Sequence, residues 1–327
     1  MGCKDRIMTK GTILEIQRMS TEDGPGIRTT VFMKGCPLSC IWCHNPESIS
    51  MKPQVHWVGS RCIGCNICID VCPNDALKKG VKGIEIDRGI CKGCGTCANE
   101  CPSTAMELLG HEWEADRLVD ELIKDRAFFE TSGGGVTISG GEPTMQAGFV
   151  MEVLRMLKEK GIHTALDTCG LCKEETIAGL LPGADLVLFD LKVMDSKLHR
   201  EFTGAPNERI LESLLYIRDV MKKKGSPKEL WIRTPIIPGA TDNEKVIKEI
   251  GRYIAANIKD VVTRWDLCAF NNLCRDKYTR LGLIWKYHDS KPLRKETMER
   301  LAEEARHSGV RPDIVQWSGA TRLEEEE

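Results

Sequence analysis

The sequence predicts an α/β fold, a partial (β/α)6 barrel carrying a small inserted α+β domain. Strand-like and helix-like runs alternate from residue 114 onward, giving about six βα units. Nearly every strand-like run ends in polar residues, and in a parallel βα fold the strand ends share one mouth. Residues 62–105 break the alternation with two copies of a four-cysteine run. The alternative, an open nucleotide-binding sheet, lacks its signature. No G-x-G-x-x-G lies at a strand-to-helix turn, and Ser132-Gly133-Gly134-Gly135 precedes a strand.

In chain order, residues 11–17 read as a strand and Asp23-Gly24-Pro25-Gly26 as a tight turn, since glycine and proline supply the positive and fixed φ angles a turn requires. The chain returns as a strand over 27–33 and delivers a loop, Lys34-Gly35-Cys36-Pro37-Leu38-Ser39-Cys40-Ile41-Trp42-Cys43-His44-Asn45-Pro46. Helical periodicity over 114–129 puts Leu118, Leu122 and Ile123 on one side with charges opposite. Strands follow at 136–139, 163–167, 185–191, 230–236 and 261–270. Helices follow at 145–160, 173–181, 207–224, 243–258 and 295–307. Ile314-Val315-Gln316-Trp317 is a short run that pairs or caps, and 324–327 is a solvated acidic tail. Residues 1–52 therefore open the barrel, 53–110 form the insert, and 111–327 complete the barrel and tail.

The chain has 327 residues, long enough for one large domain or two smaller ones, and 41% hydrophobic content supports a proper core. A formal charge of −2 gives no reason to expect nucleic acid or an anionic membrane as partner. No stretch approaches the ~18 apolar residues of a membrane span, and the N-terminus is not of secretory type. Gly2-Cys3 is no lipidation signal, because Arg6 stands where Ser or Thr is required. Sixteen cysteines without an export signal point to metal thiolates in a reducing cytoplasm, and so many clusters point to an anaerobe.

Cys36, Cys40 and Cys43 are spaced C-x3-C-x2-C. A structural zinc or an ordinary cubane cluster takes four protein ligands, so three thiolates leave one iron of a 4Fe–4S cluster open. The insert repeats Cys62-x2-Cys65-x2-Cys68-x3-Cys72-Pro73 as Cys91-x2-Cys94-x2-Cys97-x3-Cys101-Pro102, the bacterial two-cluster ferredoxin pattern. In that pattern the fourth cysteine of each run crosses over. Cys62, Cys65, Cys68 and Cys101 are assigned to one 4Fe–4S cluster, and Cys91, Cys94, Cys97 and Cys72 to the second. Gly64, Gly93 and Gly95 let backbone N–H groups approach the sulfurs. A zinc reading would have to explain two complete tetrads that each end in proline.

The three-cysteine loop, with Trp42 just before its last cysteine, resembles the signature of radical S-adenosylmethionine (SAM) enzymes, in which the open iron chelates SAM. Asp23-Gly24-Pro25-Gly26-Ile27-Arg28, His44-Asn45-Pro46-Glu47-Ser48, Ser139-Gly140-Gly141-Glu142-Pro143 and Leu166-Asp167-Thr168 sharpen the likeness. Together they look like the glycyl radical enzyme activating enzymes, in the subgroup with a ferredoxin insert. That resemblance implies a radical SAM barrel and a set of roles. Gly140, Gly141 and Glu142 would meet the methionine amino group through a backbone edge, and Trp42 would sit by the adenine. Asp167, Thr168 and Asp190 would hold a monovalent cation, and Lys192 and Arg233 would bind ribose or carboxylate oxygens. The Asp23 to Arg28 loop would help to receive the partner's glycine loop. Where the family often has a histidine at the end of the sixth strand, this chain has Asn271, which hydrogen-bonds but cannot titrate, favouring a ribose contact. Cys169, Cys172, Cys268, Cys274 and Cys3 show no ligand spacing and read as small hydrophobes.

The activity so implied is reductive cleavage of SAM, with the 5′-deoxyadenosyl radical removing a Cα hydrogen from a glycine of a partner glycyl radical enzyme other than pyruvate formate-lyase. The electron would come from a low-potential donor such as ferredoxin or flavodoxin, through the insert or with the insert serving only in structure or docking. The runner-up is a radical SAM enzyme acting on a small molecule, with the insert as electron feed. A third reading, an electron-transfer ferredoxin fused to a non-catalytic barrel, leaves the three-cysteine loop unexplained.

Overall fold

The computed structural model describes residues 9–322; Cys3 and the run 324–327 lie outside them. Strands β1 (Lys10–Ser20) and β2 (Arg28–Met33) pair antiparallel across the glycine turn. Gly26 there has φ +68°, and a Cβ on it would fall 2.5 Å from the Gly134 nitrogen, so only glycine fits.

The chain then leaves the main sheet. β3 (Gln54–Trp57), β4 (Leu77–Gly80), β5 (Gly83–Ile86) and β6 (Met106–Leu109) form two antiparallel pairs, β3 with β6 and β4 with β5. One-turn helices α1 (Ile67–Asp70) and α2 (Thr96–Asn99) complete this part. Val55, Leu77, Met106, Cys68 and Cys97 give it a core separate from that of the barrel.

β7 (His111–Glu114) returns to pair antiparallel with β1. β8 (Gly135–Gly140), β9 (Thr164–Thr168), β10 (Leu186–Asp190), β11 (Glu229–Ile236), β12 (Val262–Ala269) and β13 (Val315–Ser318) then extend from β2 as one parallel ladder. The sheet order is β13-β12-β11-β10-β9-β8-β2-β1-β7, a partial barrel open between β13 and β7. The run at 314–317 thus pairs, giving one parallel strand more than the expected six.

Helices α3 (Ala115–Leu122), α4 (Arg126–Ser132), α5 (Ala147–Glu159), α6 (Glu174–Leu180), α7 (Ser196–Thr203), α8 (Glu208–Lys224), α9 (Glu244–Asn257), α10 (Arg275–Leu281) and α11 (Lys295–Arg306) fill the connections. Helical spacing brings Val150, Val153, Leu154 and Leu157 of α5, and Ile247, Ile250 and Ile254 of α9, into the main core. Burying each such side chain contributes roughly 1.5–3 kcal/mol. The single helix expected over 114–129 is broken by a 3-10 turn at Ile123–Asp125. There the Asp125 carboxylate accepts a 2.7 Å bond from Thr29 Oγ1 of β2.

Arg28 is wholly buried. Its guanidinium donates to Thr137 Oγ1 (2.7 Å), Val136 O (2.8 Å) and Pro25 O (3.2 Å), tying the glycine turn to β8. Arg28→Met would orphan those acceptors at about 1–3 kcal/mol each, so we expect a loss of about 3 kcal/mol or more. The denaturant midpoint at unchanged slope reports it, and a loss below about 0.5 kcal/mol would show that the arginine does not hold the turn.

Candidate functional site

The C-terminal ends of β2 and of β8 to β12 converge on a cavity of about 360 Å3. Cys36, Cys40 and Cys43 face it from the loop after β2, with Trp42 between the last two of them and Asp23 also in the lining. Gly140 ends β8 with Gly141 and Glu142 after it, Asp167 and Thr168 end β9, Asp190 and Lys192 lie at the end of β10, and Arg233 sits on β11. The alternating motif of six strand ends is thus one surface.

Its charges are paired before any ligand arrives. Asp167 Oδ2 accepts from Ser139 Oγ at 2.6 Å and from Arg233 Nη1 at 3.3 Å, and Arg233 Nη1 lies 4.0 Å from Asp23 Oδ1. Lys192 Nζ donates to Asp190 Oδ2 at 2.6 Å. Burial pushes the Asp167 carboxyl up to about 6, with Arg233 opposing. Burial works against the Lys192 charge, but Asp190 and the thiols of Cys40 and Cys169 outweigh it and hold the lysine above its ordinary range. Two fixed cations and three carboxylates suit a ligand that carries both an ammonium and a carboxylate. Burial pushes the Cys36 thiol up to about 12 and raises Cys40 and Cys43 as well, so a metal group would bind there with release of protons.

The two glycines are required by the protein first. A Cβ on Gly140 would fall 2.1 Å from Met33 N, and one on Gly141 2.2 Å from Gly35 O. Gly141 N donates to Met33 O and Glu142 N to Gly35 O, so this edge offers a ligand carbonyl oxygens. The Glu142 carboxylate is buried and accepts from Thr168 Oγ1 (2.6 Å), Cys169 N (2.8 Å) and Thr144 N (3.1 Å), bracing β8 against β9.

Two expectations need correction. Arg28 does not line the cavity, because its hydrogen bonds are spent inside the turn. Asn271 does not line it either, since its Oδ1 accepts from Leu273 N at 3.1 Å and closes its own turn. Around the expected monovalent-cation site, Asp167 Oδ2 accepts from Arg233, Asp190 Oδ2 accepts from Lys192, and the Thr168 hydroxyl donates to Glu142 and accepts from Gly170 N.

Other residues enter the cavity without having been anticipated. His44 and Phe270 form part of its wall, ring edge to ring face with centroids 6.2 Å apart. Burial lowers the His44 pKa, opposed by a hydrogen bond to the Asn271 backbone. Cys169 and Cys268, read as small hydrophobes, line it too, whereas Cys274 joins an aromatic cluster nearby. The sequence signals for His44 are its place directly after Cys43 and the His44-Asn45-Pro46 motif it opens.

In the insert, Cys62, Cys65, Cys68 and Cys101 line one small cavity, and Cys72, Cys91, Cys94 and Cys97 line another. Each set combines three cysteines of one run with the fourth of the other. Among the described residues, no three His, Cys, Asp or Glu side chains gather as they would round a single metal ion. A four-iron cluster spreads its thiolates more widely than one ion does.

The sequence matches the Radical SAM superfamily over residues 84–250 and a 4Fe-4S dicluster domain over residues 61–105. It is 41% identical to the trans-4-hydroxy-L-proline dehydratase activating enzyme of Clostridioides difficile, over 89% of this chain and 93% of that one. It is 34% identical to the (2S)-3-sulfopropanediol dehydratase activating enzyme of Klebsiella oxytoca, over 92% and 95%. It is 38% identical to the benzylsuccinate synthase activating enzyme of Thauera aromatica, over 85% and 84%.

The raised Asp167 pKa predicts a pH dependence. A carboxyl at about 6 in the fold and about 3.9 when unfolded adds stability that is fully present below about pH 4 and lost as pH rises through about 6. Wild type should therefore lose stability relative to Asp167→Asn between about pH 4 and about pH 6. Urea midpoints of the reduced, metal-free protein measure this, and a constant difference across that window would show that burial does not control the group.

Proposed function

We propose that this chain, which belongs to the radical SAM activating enzymes of glycyl radical enzymes, holds a 4Fe–4S cluster on Cys36, Cys40 and Cys43 and binds SAM in the adjoining cavity. The observation that carries this reading is that one cavity is faced by three thiols, a glycine edge offering carbonyls, and the paired charges of Asp167, Asp190, Lys192 and Arg233. When bound, the cluster and SAM supply an electron and a 5′-deoxyadenosyl radical able to take a Cα hydrogen from glycine. The chain's own residues bind and orient.

Lys192 and Arg233 meet the carboxylate and ribose oxygens, the carbonyls of Gly140 and Gly141 accept from the amino group, and Trp42, His44 and Phe270 wall the adenine. Asp23, in the cavity lining on the turn between β1 and β2, faces the incoming glycine loop. In the insert, Cys62, Cys65, Cys68 and Cys101 hold one accessory cluster and Cys72, Cys91, Cys94 and Cys97 the other, fed by a low-potential donor of the ferredoxin or flavodoxin kind. The partner is a glycyl radical enzyme of the dehydratase, lyase or synthase kinds that the relatives' names carry. No helix among the described residues is long and apolar enough to cross a membrane.

Anaerobically reconstituted protein, with ~12 iron per chain if all three sites are cubanes, is given SAM, a reductant and a glycine-loop peptide deuterated at the glycine α-carbon. Deuterium should appear in 5′-deoxyadenosine and vanish with Cys40→Ala. Unlabelled 5′-deoxyadenosine, with the full-length partner enzymes as well as the peptide, would transfer the reading to a small-molecule substrate. Separately, Lys192→Met leaves Asp190 uncompensated and should weaken SAM binding tenfold or more, about 1.4 kcal/mol, measured by equilibrium dialysis. Unchanged affinity would remove Lys192 from the SAM site.

A further inference from the structure

The stretch between β12 and α11 carries no signature, yet it makes the largest set of side-chain contacts to the three-cysteine loop. Tyr278 of α10 donates its hydroxyl to Cys43 O at 2.8 Å. Trp285 Nε1 donates to Ile41 O at 3.1 Å. Lys277 Nζ lies 2.7 Å from Asn45 Oδ1 and 2.7 Å from Glu47 Oε1. The Tyr278 and Trp285 rings stack at 4.9 Å with an angle of 11°, inside a buried aromatic cluster that includes Trp42 and Phe270. On its other side α10 receives the insert, because Arg88 Nη2 donates to Arg280 O at 2.9 Å while the same guanidinium holds Val55 O of β3.

These bonds meet a specific need. The part-buried loop carbonyls of Ile41 and Cys43 accept from these ring donors, with Cys274 Sγ at a longer 3.8 Å from Cys43 O, and a carbonyl withdrawn from water without a donor is costly. Each is provided with its donor from one seven-residue helix and the turn after it. Because both rings are packed against each other, the donors are held rigid rather than recruited.

We propose that α10 and the segment to Trp285 are the positioning element of the three-cysteine loop, with Tyr278 as its principal positioning residue, and that through Arg88 the same element couples the insert to the SAM site. This rests on the reading of that loop as the SAM-cluster site. Tyr278 touches no reacting atom; it fixes the backbone between Cys43 and His44, and so the set of the last thiol and of the cavity wall beside it.

The test uses full-length reconstituted protein. Tyr278→Phe keeps the ring and its stacking while removing the donor, and Trp285→Phe similarly removes the second donor. Iron per chain, SAM affinity of the unreduced protein, and the electron paramagnetic resonance spectrum of the reduced protein with and without SAM are recorded for each. Tyr278→Phe should retain its iron, bind SAM about tenfold more weakly and show an altered SAM-induced spectrum. Arg88→Met should shift the same spectrum in the same sense, by a smaller amount. Wild-type affinity and spectrum in both aromatic variants would overturn the positioning role, and an unshifted spectrum in Arg88→Met would overturn the coupling. A wild-type protein that neither binds SAM nor changes spectrum with it would instead overturn the function proposed above. Should Tyr278→Phe fail to fold, the Trp285→Phe spectrum decides the positioning role alone.

Discussion

A loop without regular secondary structure must have its backbone groups satisfied from outside, and the loop that carries Cys36, Cys40 and Cys43 is held in this way. Gly35 N and Cys36 N donate to Ser48 O and Ile49 O, which closes its base. Ser39 N and Ile41 N donate to the carbonyls of Thr203 and Phe202 at the end of α7. Lys34, fully buried with burial pushing its pKa down to about 8, donates to Glu47 O and caps the segment from beneath. Two short helices, α7 and α10, thus contact the loop. Their cost in chain ordering is offset by backbone groups that would otherwise be buried without partners.

The mouth follows a second constraint. Buried ion pairs are poor sources of stability, because desolvation consumes most of the attraction. Asp190–Lys192 and Asp167–Arg233 are therefore not explained by the fold, which has its apolar core and many exposed pairs such as Arg126–Glu130 on its helices. Their effect is to fix charge in the cavity, which on the function proposed above receives a polar ligand. The carboxylates keep the lysine and arginine extended and ionised, and the cations keep the carboxylates from pulling water in. Ser139 and Thr168 complete the arrangement with short hydroxyl bonds, so little reorganisation remains when a ligand binds.

The parts legible in the sequence were those whose chemistry is written locally. Cysteine spacing marked both the loop and the two tetrads, and polar residues at the ends of apolar runs marked Asp167, Asp190, Lys192 and Arg233. What escaped notice depends on contacts between distant segments. Arg28 looked like part of a partner-facing loop, but its acceptors lie in β8, over a hundred residues away, and they draw it inward. Asn271 looked like a site residue and instead closes a local turn. The glycines after β8 were expected to make room for a ligand, and it is the approach of Met33 and Gly35 that demands them. α7 announces itself only through the Asp195 carboxylate, which accepts from Lys197 N and Leu198 N, and α10 only through its aromatic neighbours.

The insert shows how a symmetrical motif acquires direction. Its two cysteine runs are near copies, and Gly64 and Gly93 occupy the same place in each. A Cβ on Gly64 would meet nothing within 4 Å, whereas one on Gly93 would fall 2.1 Å from Pro53 O, where the chain enters the insert. The next residue, Gln54, accepts from Lys34 Nζ at 3.2 Å, two positions before Cys36. Arg88, three residues before Cys91, reaches α10. The second run is therefore packed toward the segments that hold the three-cysteine loop, while the corresponding position of the first run is open. The two cysteine runs supply the linings of the two small cavities, and the points at which the chain enters and leaves set their environments. Because entry and exit are joined by the β3–β6 pair, the insert closes on itself and leaves the β2–β8 ladder undisturbed.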